Sequence, residues 1–288
     1  MKIHAIQTGT VSIRPNQREG QGTGYDRLLH TLTDRGWTEP LPIYAWVIEH
    51  PEGIIVIDTG ETARTAEPGY FTPWHPYFKQ VRPRVTPEQE IGPQLHTLGL
   101  RADDVRWVVL THLHTDHAGG LYHFPKSEIV ISRRAYQLAA GFKGQVRGFL
   151  PQHFPTWLNP TLIDLAPRAW GPFPASLSLT QSEDVLIVPT SGHTEAHMSV
   201  VLREGGLTYL FAGDTSYTQQ LMLDQKIDGV SLDASSARHT LQRTRRLAEQ
   251  TPLVYLPSHD PESVRRLEYK TPAIIHPTIQ PMRVPVEV

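Results

Sequence analysis

The run Thr111-His112-Leu113-His114-Thr115-Asp116-His117-Ala118-Gly119-Gly120 puts four metal-binding side chains within six positions. On an extended segment His112 and His114 point to the same side, because strand side chains alternate with period two. A turn into a helix after His114 swings Asp116 and His117 to a second position nearby, so one loop can feed two cations. Imidazole and carboxylate suit zinc, and also iron, cobalt or manganese. The plain alternative is a solvated histidine-rich loop. The dense H-x-H-x-D-H pattern, entered from a β-rich run and followed by Gly-Gly, favours the metal site.

Two metals need more ligands than one loop carries. His193 follows the β-rich run Val185–Val188, Asp214 follows Thr208–Phe211, and His259 follows Leu253–Leu256. Each lies just past the carboxyl end of an expected strand, and the ends of neighbouring strands converge in space. Asp58 closes another such run in Ile57-Asp58-Thr59-Gly60. It reads either as a carboxylate behind the site or as a turn aspartate.

The elements that must position these groups are legible in part. Pro42–His50 and Gly53–Thr59 flank Pro51-Glu52-Gly53, a strong hairpin signal. Val105–Leu110, Ile129–Ser132 and Met198–Arg203 are further expected strands; Thr86–Leu98, Arg133–Ala140 and Arg238–Gln250 are expected helices. Residues 61–87 and 141–175 show no clean period but hold many aromatics, as surface loops or substrate lids. With 39% hydrophobic and 19% charged residues the chain is globular, and without repeats or a linker a single domain over residues 1–288 is the simpler reading. The absence of cysteine excludes disulfides and thiolate ligands. A net charge of −2 argues against nucleic acid, and no apolar run is long enough for a membrane span. Met1–Ile6 reads as a strand, so a cytoplasmic location is the expectation.

The series HLHTDH, SGHT, AGDTS and PSHD resembles the dinuclear hydrolases of the metallo-β-lactamase superfamily. The resemblance runs from the first hairpin to His259. It implies a four-layer αβ/βα sandwich, two mixed β-sheets with helices outside. One metal, most commonly zinc, would take His112, His114 and His193, the other Asp116, His117 and His259, with Asp214 bridging them. Asp58 would orient a ligand from behind, and His197 would be structural.

Two cations about 3.5–4 Å apart lower the pKa of a shared water, giving a bridging hydroxide that attacks a carbonyl or phosphoryl centre. Tyr217, in Gly-Asp-Thr-Ser-Tyr-Thr, resembles the tyrosine of N-acyl homoserine lactonases, which points at the substrate carbonyl. The expected function is therefore opening of the lactone ring of N-acyl homoserine lactones. Tyr217 would polarise the carbonyl and Asp116 would carry a proton to the leaving alkoxide. Tyr217 also reads as a packing residue at a helix start. Phe71 and Trp74 are the expected walls of an acyl pocket. Residues 14–39 match no family pattern. A homodimer is compatible with the resemblance. An aryl phosphotriesterase is the nearest rival. A thioesterase of the glyoxalase II type is disfavoured, because two short proline-broken segments replace a helical C-terminal part after His259. An inactive metal-binding module is disfavoured by the complete ligand set.

Overall fold

Pro51-Glu52-Gly53 turns the chain between two strands whose side chains are apolar on both faces. The computed structural model describes residues 1–71 and 79–275; Trp74 lies outside the described residues. Strands β1 (Lys2–Ile13), β2 (Leu41–His50), β3 (Gly53–Ile57), β4 (Val81–Arg84), β5 (Val105–Val109), β6 (Glu128–Ser132) and β7 (Thr161–Ile163) form one sheet, in the order β4-β1-β2-β3-β5-β6-β7. Strands β8 (Leu177–Ser178), β9 (Val185–Pro189), β10 (Met198–Glu204), β11 (Leu207–Gly213) and β12 (Leu253–Pro257) form the other, in the order β12-β11-β10-β9-β8. Both sheets are mixed. Strands β3, β5, β6 and β7 run parallel, as do β11 and β12, and the other pairings are antiparallel.

Period-two alternation sorts each strand between two cores. In β2, Trp46 and Ile48 face the second sheet and meet Phe211, Val200, Ile187 and Val254. Ala45 and Val47 face the other way, towards the helices Ile91–Thr97 and Arg133–Ala139, which contribute Ile91, Leu95, Ala135 and Ala139. The outer face of the second sheet is covered by the helix Ala234–Gln250 through Ala237, Leu241 and Leu247. Covering both faces of both sheets makes the αβ/βα sandwich expected from the sequence. It also explains why the central strands read as continuous apolar runs. Among the described residues no helix is long and apolar enough to cross a membrane.

The departures from the expected elements are local. Strand β1 runs to Ile13, beyond the expected Ile6, through a register shift between Gln7 and Thr10. The aromatic segments are not structureless. The first holds the 3₁₀ turn Ala63–Ala66 and β4, and the second holds the helix Gly141–Val146 and β7. Residues 14–39 carry two helices, Pro15–Arg18 and Tyr25–Thr33. These pieces are too short for periodicity to reveal, and their pairing partners are distant in sequence.

Candidate metal centre

Strands β3, β5, β9, β11 and β12 deliver the candidate residues at one end of the sandwich. After β5 the chain stays extended through His114 and then turns into the short helix Thr115–Ala118, which carries Asp116 and His117. His112, His114 and His193 bring one nitrogen each into a common cluster; Asp116, His117 and His259 form a second group, and His112, His117 and Asp214 link the two. His114 Nδ1 lies 3.0 Å from His112 Nε2 and 3.1 Å from His193 Nε2. Asp214 Oδ1 lies 3.2 Å from His117 Nε2 and 3.3 Å from His259 Nε2, while its Oδ2 lies 3.4 Å from His193 Nε2. Asp116 Oδ2 lies 3.4 Å from His259 Nε2. All seven residues meet, and Asp214 faces both groups.

The far side of each ring is held by a partner. Asp58 Oδ2 lies 2.8 Å from His117 Nδ1, and both Asp58 oxygens accept from Thr111, one from its backbone N–H and one from its hydroxyl. Asp228 faces His193 Nδ1 at 3.1 Å. Carbonyls of Pro42 and Arg147 face His259 Nδ1 at 2.8 Å and His114 Nε2 at 3.2 Å. A ring that donates outward presents a bare lone pair inward. Bare lone pairs of His114 and His193 would then face each other at 3.1 Å, a repulsive contact unless a proton or a cation lies between them. His117 Nε2 and Asp214 Oδ1 are buried and make no hydrogen bond. Such orphaned polar atoms, in a nitrogen and oxygen donor set, fit divalent cations such as zinc.

The electrostatics point the same way. Burial disfavours charge on His117, His193 and His259, yet Asp214 and neighbouring carboxylates hold all three pKa values above the ordinary histidine value, His117 well above it. Burial also works against ionisation of Asp214, but His259, His117 and His193 hold its pKa well below the usual range. His112 is driven well below the ordinary value, and His114 down to about 4, mainly by burial. The centre is an acidic field that calls for positive charge.

The most decisive comparison is with the family model described as metallo-beta-lactamase superfamily, which matches residues 38–259. The chain belongs to the metallo-beta-lactamase superfamily. It is a hydrolase of that superfamily, with a divalent metal site. Its curated relatives include the N-acyl homoserine lactonase AttM of Azorhizobium caulinodans, 26% identical, covering 91% of this chain and 94% of the relative. The N-acyl homoserine lactonase AiiA of Bacillus thuringiensis subsp. kurstaki is 27% identical, over 77% of this chain and 82% of the relative. Among solved structures, an N-acyl homoserine lactone hydrolase with N-hexanoyl-L-homoserine bound at its catalytic metal centre superposes with a TM-score of 0.72, at 22% identity, covering 92% of this chain and 95% of that one. The dizinc quorum-quenching lactonase AidC gives a TM-score of 0.63 at 15% identity, covering 90% and 87%.

Within this superfamily member, Tyr217 is buried beside the donor groups. Its ring stacks on His259 with centroids 5.5 Å apart and meets His193 edge-on at 6.3 Å. The same ring packs with Val11, Ile13, Leu41 and Ile43, so it is also a core residue. His197 is buried outside the donor groups: its Nδ1 pairs with the Thr190 hydroxyl and its Nε2 accepts from the Asp214 N–H. Phe71 is half-buried and meets Tyr70 edge-on at 5.1 Å; Trp74, the second expected wall, is beyond the described residues.

Three neighbours escaped sequence reasoning. Phe149 stacks on His114 at 5.2 Å and bridges to it through the backbone. Asp228 had no strand-end context, since it sits in an irregular turn. Glu61, three residues after Asp58, is fully buried. Burial and the nearby charge of Asp116 push its pKa up to about 8, against hydrogen bonds from the Thr115 side chain and the Thr62 N–H. The acid after Thr-Gly was its only signal.

Proposed function

We propose that this protein hydrolyses N-acyl homoserine lactones, opening the ring to the N-acyl homoserine, at two divalent cations, with zinc as the favoured metal. The observation that carries the reading is Tyr217, whose ring lies against His259 and His193 and so brings a phenol beside both donor groups. The lactonase names of the curated relatives support it. In this reading His112, His114 and His193 hold one cation, Asp116, His117 and His259 the other, and Asp214 both. Bound there, the cations would lower the pKa of a water towards neutrality and polarise a carbonyl.

The chain's own groups do the rest. Asp58 and Asp228 fix which nitrogen of His117 and of His193 faces inward. The Tyr217 phenol donates a hydrogen bond to the carbonyl oxygen as charge develops there. Asp116 is the more solvent-open of the two inward-facing carboxylates, Asp116 and Asp214, and is the group that hands a proton to the departing alkoxide. A small recess beside it is lined by Val11, Val81 and Pro83 on one hand and by Glu61 and Thr115 on the other. The water oxygen bonds to the lactone carbonyl carbon, the ring C–O bond breaks, the departing alkoxide takes up a proton, and a single product, the N-acyl homoserine, carries both the new carboxylate and the new hydroxyl.

Acid release by the metal-loaded protein, followed in a pH-stat on short- and long-chain N-acyl homoserine lactones, tests this. Paraoxon and S-lactoylglutathione serve as comparators, and a chelated sample as control. Chelator-sensitive turnover orders of magnitude faster on lactones supports the proposal. Lactone turnover no better than that of the phosphotriester or the thioester refutes the substrate and leaves the superfamily untouched.

A further inference from the structure

Tyr217 does not meet its donor-group neighbours alone. Gln17, on the helix Pro15–Arg18, is buried and donates from Nε2 to the Tyr217 phenol oxygen at 3.2 Å. The sequence segment that carries Gln17 matched no family pattern, yet it is clamped into place by the turn that also serves His193. The Gly229 N–H donates to the Gln17 carbonyl, and the Gly20 N–H donates to the Ile227 carbonyl. A Cβ at Gly229 would lie 2.0 Å from the Asn16 carbonyl oxygen, so only glycine permits this approach. Asp228, between these anchors, faces His193 through its carboxylate.

A second detail separates Gln17 from a packing residue. Its Oε1 is buried and has no hydrogen-bond partner among the described residues. An unsatisfied buried carbonyl costs about 1–3 kcal/mol, a cost set against the hydrogen bond that Nε2 makes to the Tyr217 phenol oxygen. The carboxamide thus has one buried atom without a partner, and its other polar atom is spent on Tyr217.

We propose that Gln17 is a positioning residue for Tyr217, its amide N–H occupying the phenol oxygen as acceptor so that the phenol's own proton is committed to the substrate carbonyl. The inference rests on the role given to Tyr217 above. The amide donor fixes the phenol oxygen in place. It also strengthens the phenol as a donor, because hydrogen bonds in a chain polarise one another. Gln17 touches neither the donor cluster nor the reacting atoms; it works through one tyrosine.

Gln17→Met keeps the side-chain volume and removes both polar atoms, so folding is not threatened. It should be measured alone and together with Tyr217→Phe, on zinc-loaded protein with an N-acyl homoserine lactone. The expected result is a fall in kcat of about tenfold with KM within about twofold, and less than about twofold further loss when Tyr217→Phe is already present. In metal-free protein labelled with 3-fluorotyrosine, the ¹⁹F resonance that disappears in Tyr217→Phe should shift in Gln17→Met, while the other tyrosines keep theirs. Equal kcat losses from Gln17→Met in both backgrounds overturn the proposal while leaving Tyr217 its role. A raised KM with unchanged kcat also overturns it, by making Gln17 a substrate contact. Unchanged kcat in Tyr217→Phe removes the role of Tyr217 and the proposal with it.

Discussion

Asp58 has φ 58°, a left-handed backbone conformation that Asp and Asn tolerate better than most side chains. That conformation aims one carboxylate at both the Thr111 loop and the His117 ring. Asp58→Asn preserves the backbone and removes the charge, so it should weaken metal binding about 10–100-fold, measured by competition with a chromogenic chelator. His112→Ala and Asp214→Ala should abolish activity and metal content together, by metal analysis of purified protein. The raised pKa values of His117, His193 and His259 give a further expectation with a definite sign. Raised values mean that these rings, His117 most of all, hold protons more tightly in the metal-free protein, and a cation must compete with those protons. Zinc loading should therefore acidify a weakly buffered solution, and apparent affinity should fall as pH drops; calorimetry in buffers of different ionisation enthalpy would detect the protons. At this scale the motif residues were legible because ligand type and spacing are nearly self-declaring. Gln17, Asp228 and Glu61 were not, since a lone amide or acid in an irregular segment carries no signal until the fold supplies its neighbour.

The loop after β3 depends on close contact with β1. Gly60 has φ 68°, and a Cβ there would lie 1.9 Å from the Thr8 hydroxyl oxygen. Gly60→Ala should cost at least about 2 kcal/mol, read as a lower Tm, because backbone strain and a clash add. At the β2–β3 turn, His50 faces Asp184 at 3.1 Å, and Glu52 accepts from the Gln181 and Ser182 N–H groups. Burial raises the Asp184 pKa, but hydrogen bonds from Ser182, Thr180 and His50 outweigh it and bring it down to about 2. A depressed carboxyl stabilises the fold above its unfolded pKa near 4, and that stability is lost as pH falls towards 2. Asp184→Asn should cost about 1 kcal/mol at pH 7, after allowance for solvent screening, and flatten the acid side of the stability profile between about pH 4 and 2 in denaturant titrations. The helix Ala234–Gln250 shows why element boundaries drift. It begins four residues earlier than its periodicity suggests, because Asp233 caps it by accepting from the Ser235 and Ser236 N–H groups.

The candidate ligands reach from His112 to His259 and come from loops of both sheets, so a bound cation ties the two halves of the sandwich together. Chelation should lower Tm and added zinc should restore it, since a ligand that binds only the folded chain stabilises by mass action. The layered architecture itself was legible because buried parallel strands announce themselves as apolar runs. The short edge strands β4, β7 and β8 were not, because their pairing is decided by distant partners. One feature of this wiring bears on synthesis. When the chain has left the ribosome only as far as β10, His112, His114, Asp116, His117 and His193 are already out, but Asp214 and His259 are not. The nascent chain up to β10 can collect four histidines and Asp116 but cannot assemble both donor groups. A message cut short anywhere before His259 therefore yields a chain without the full candidate set, whose last member emerges only after the final strand of the second sheet.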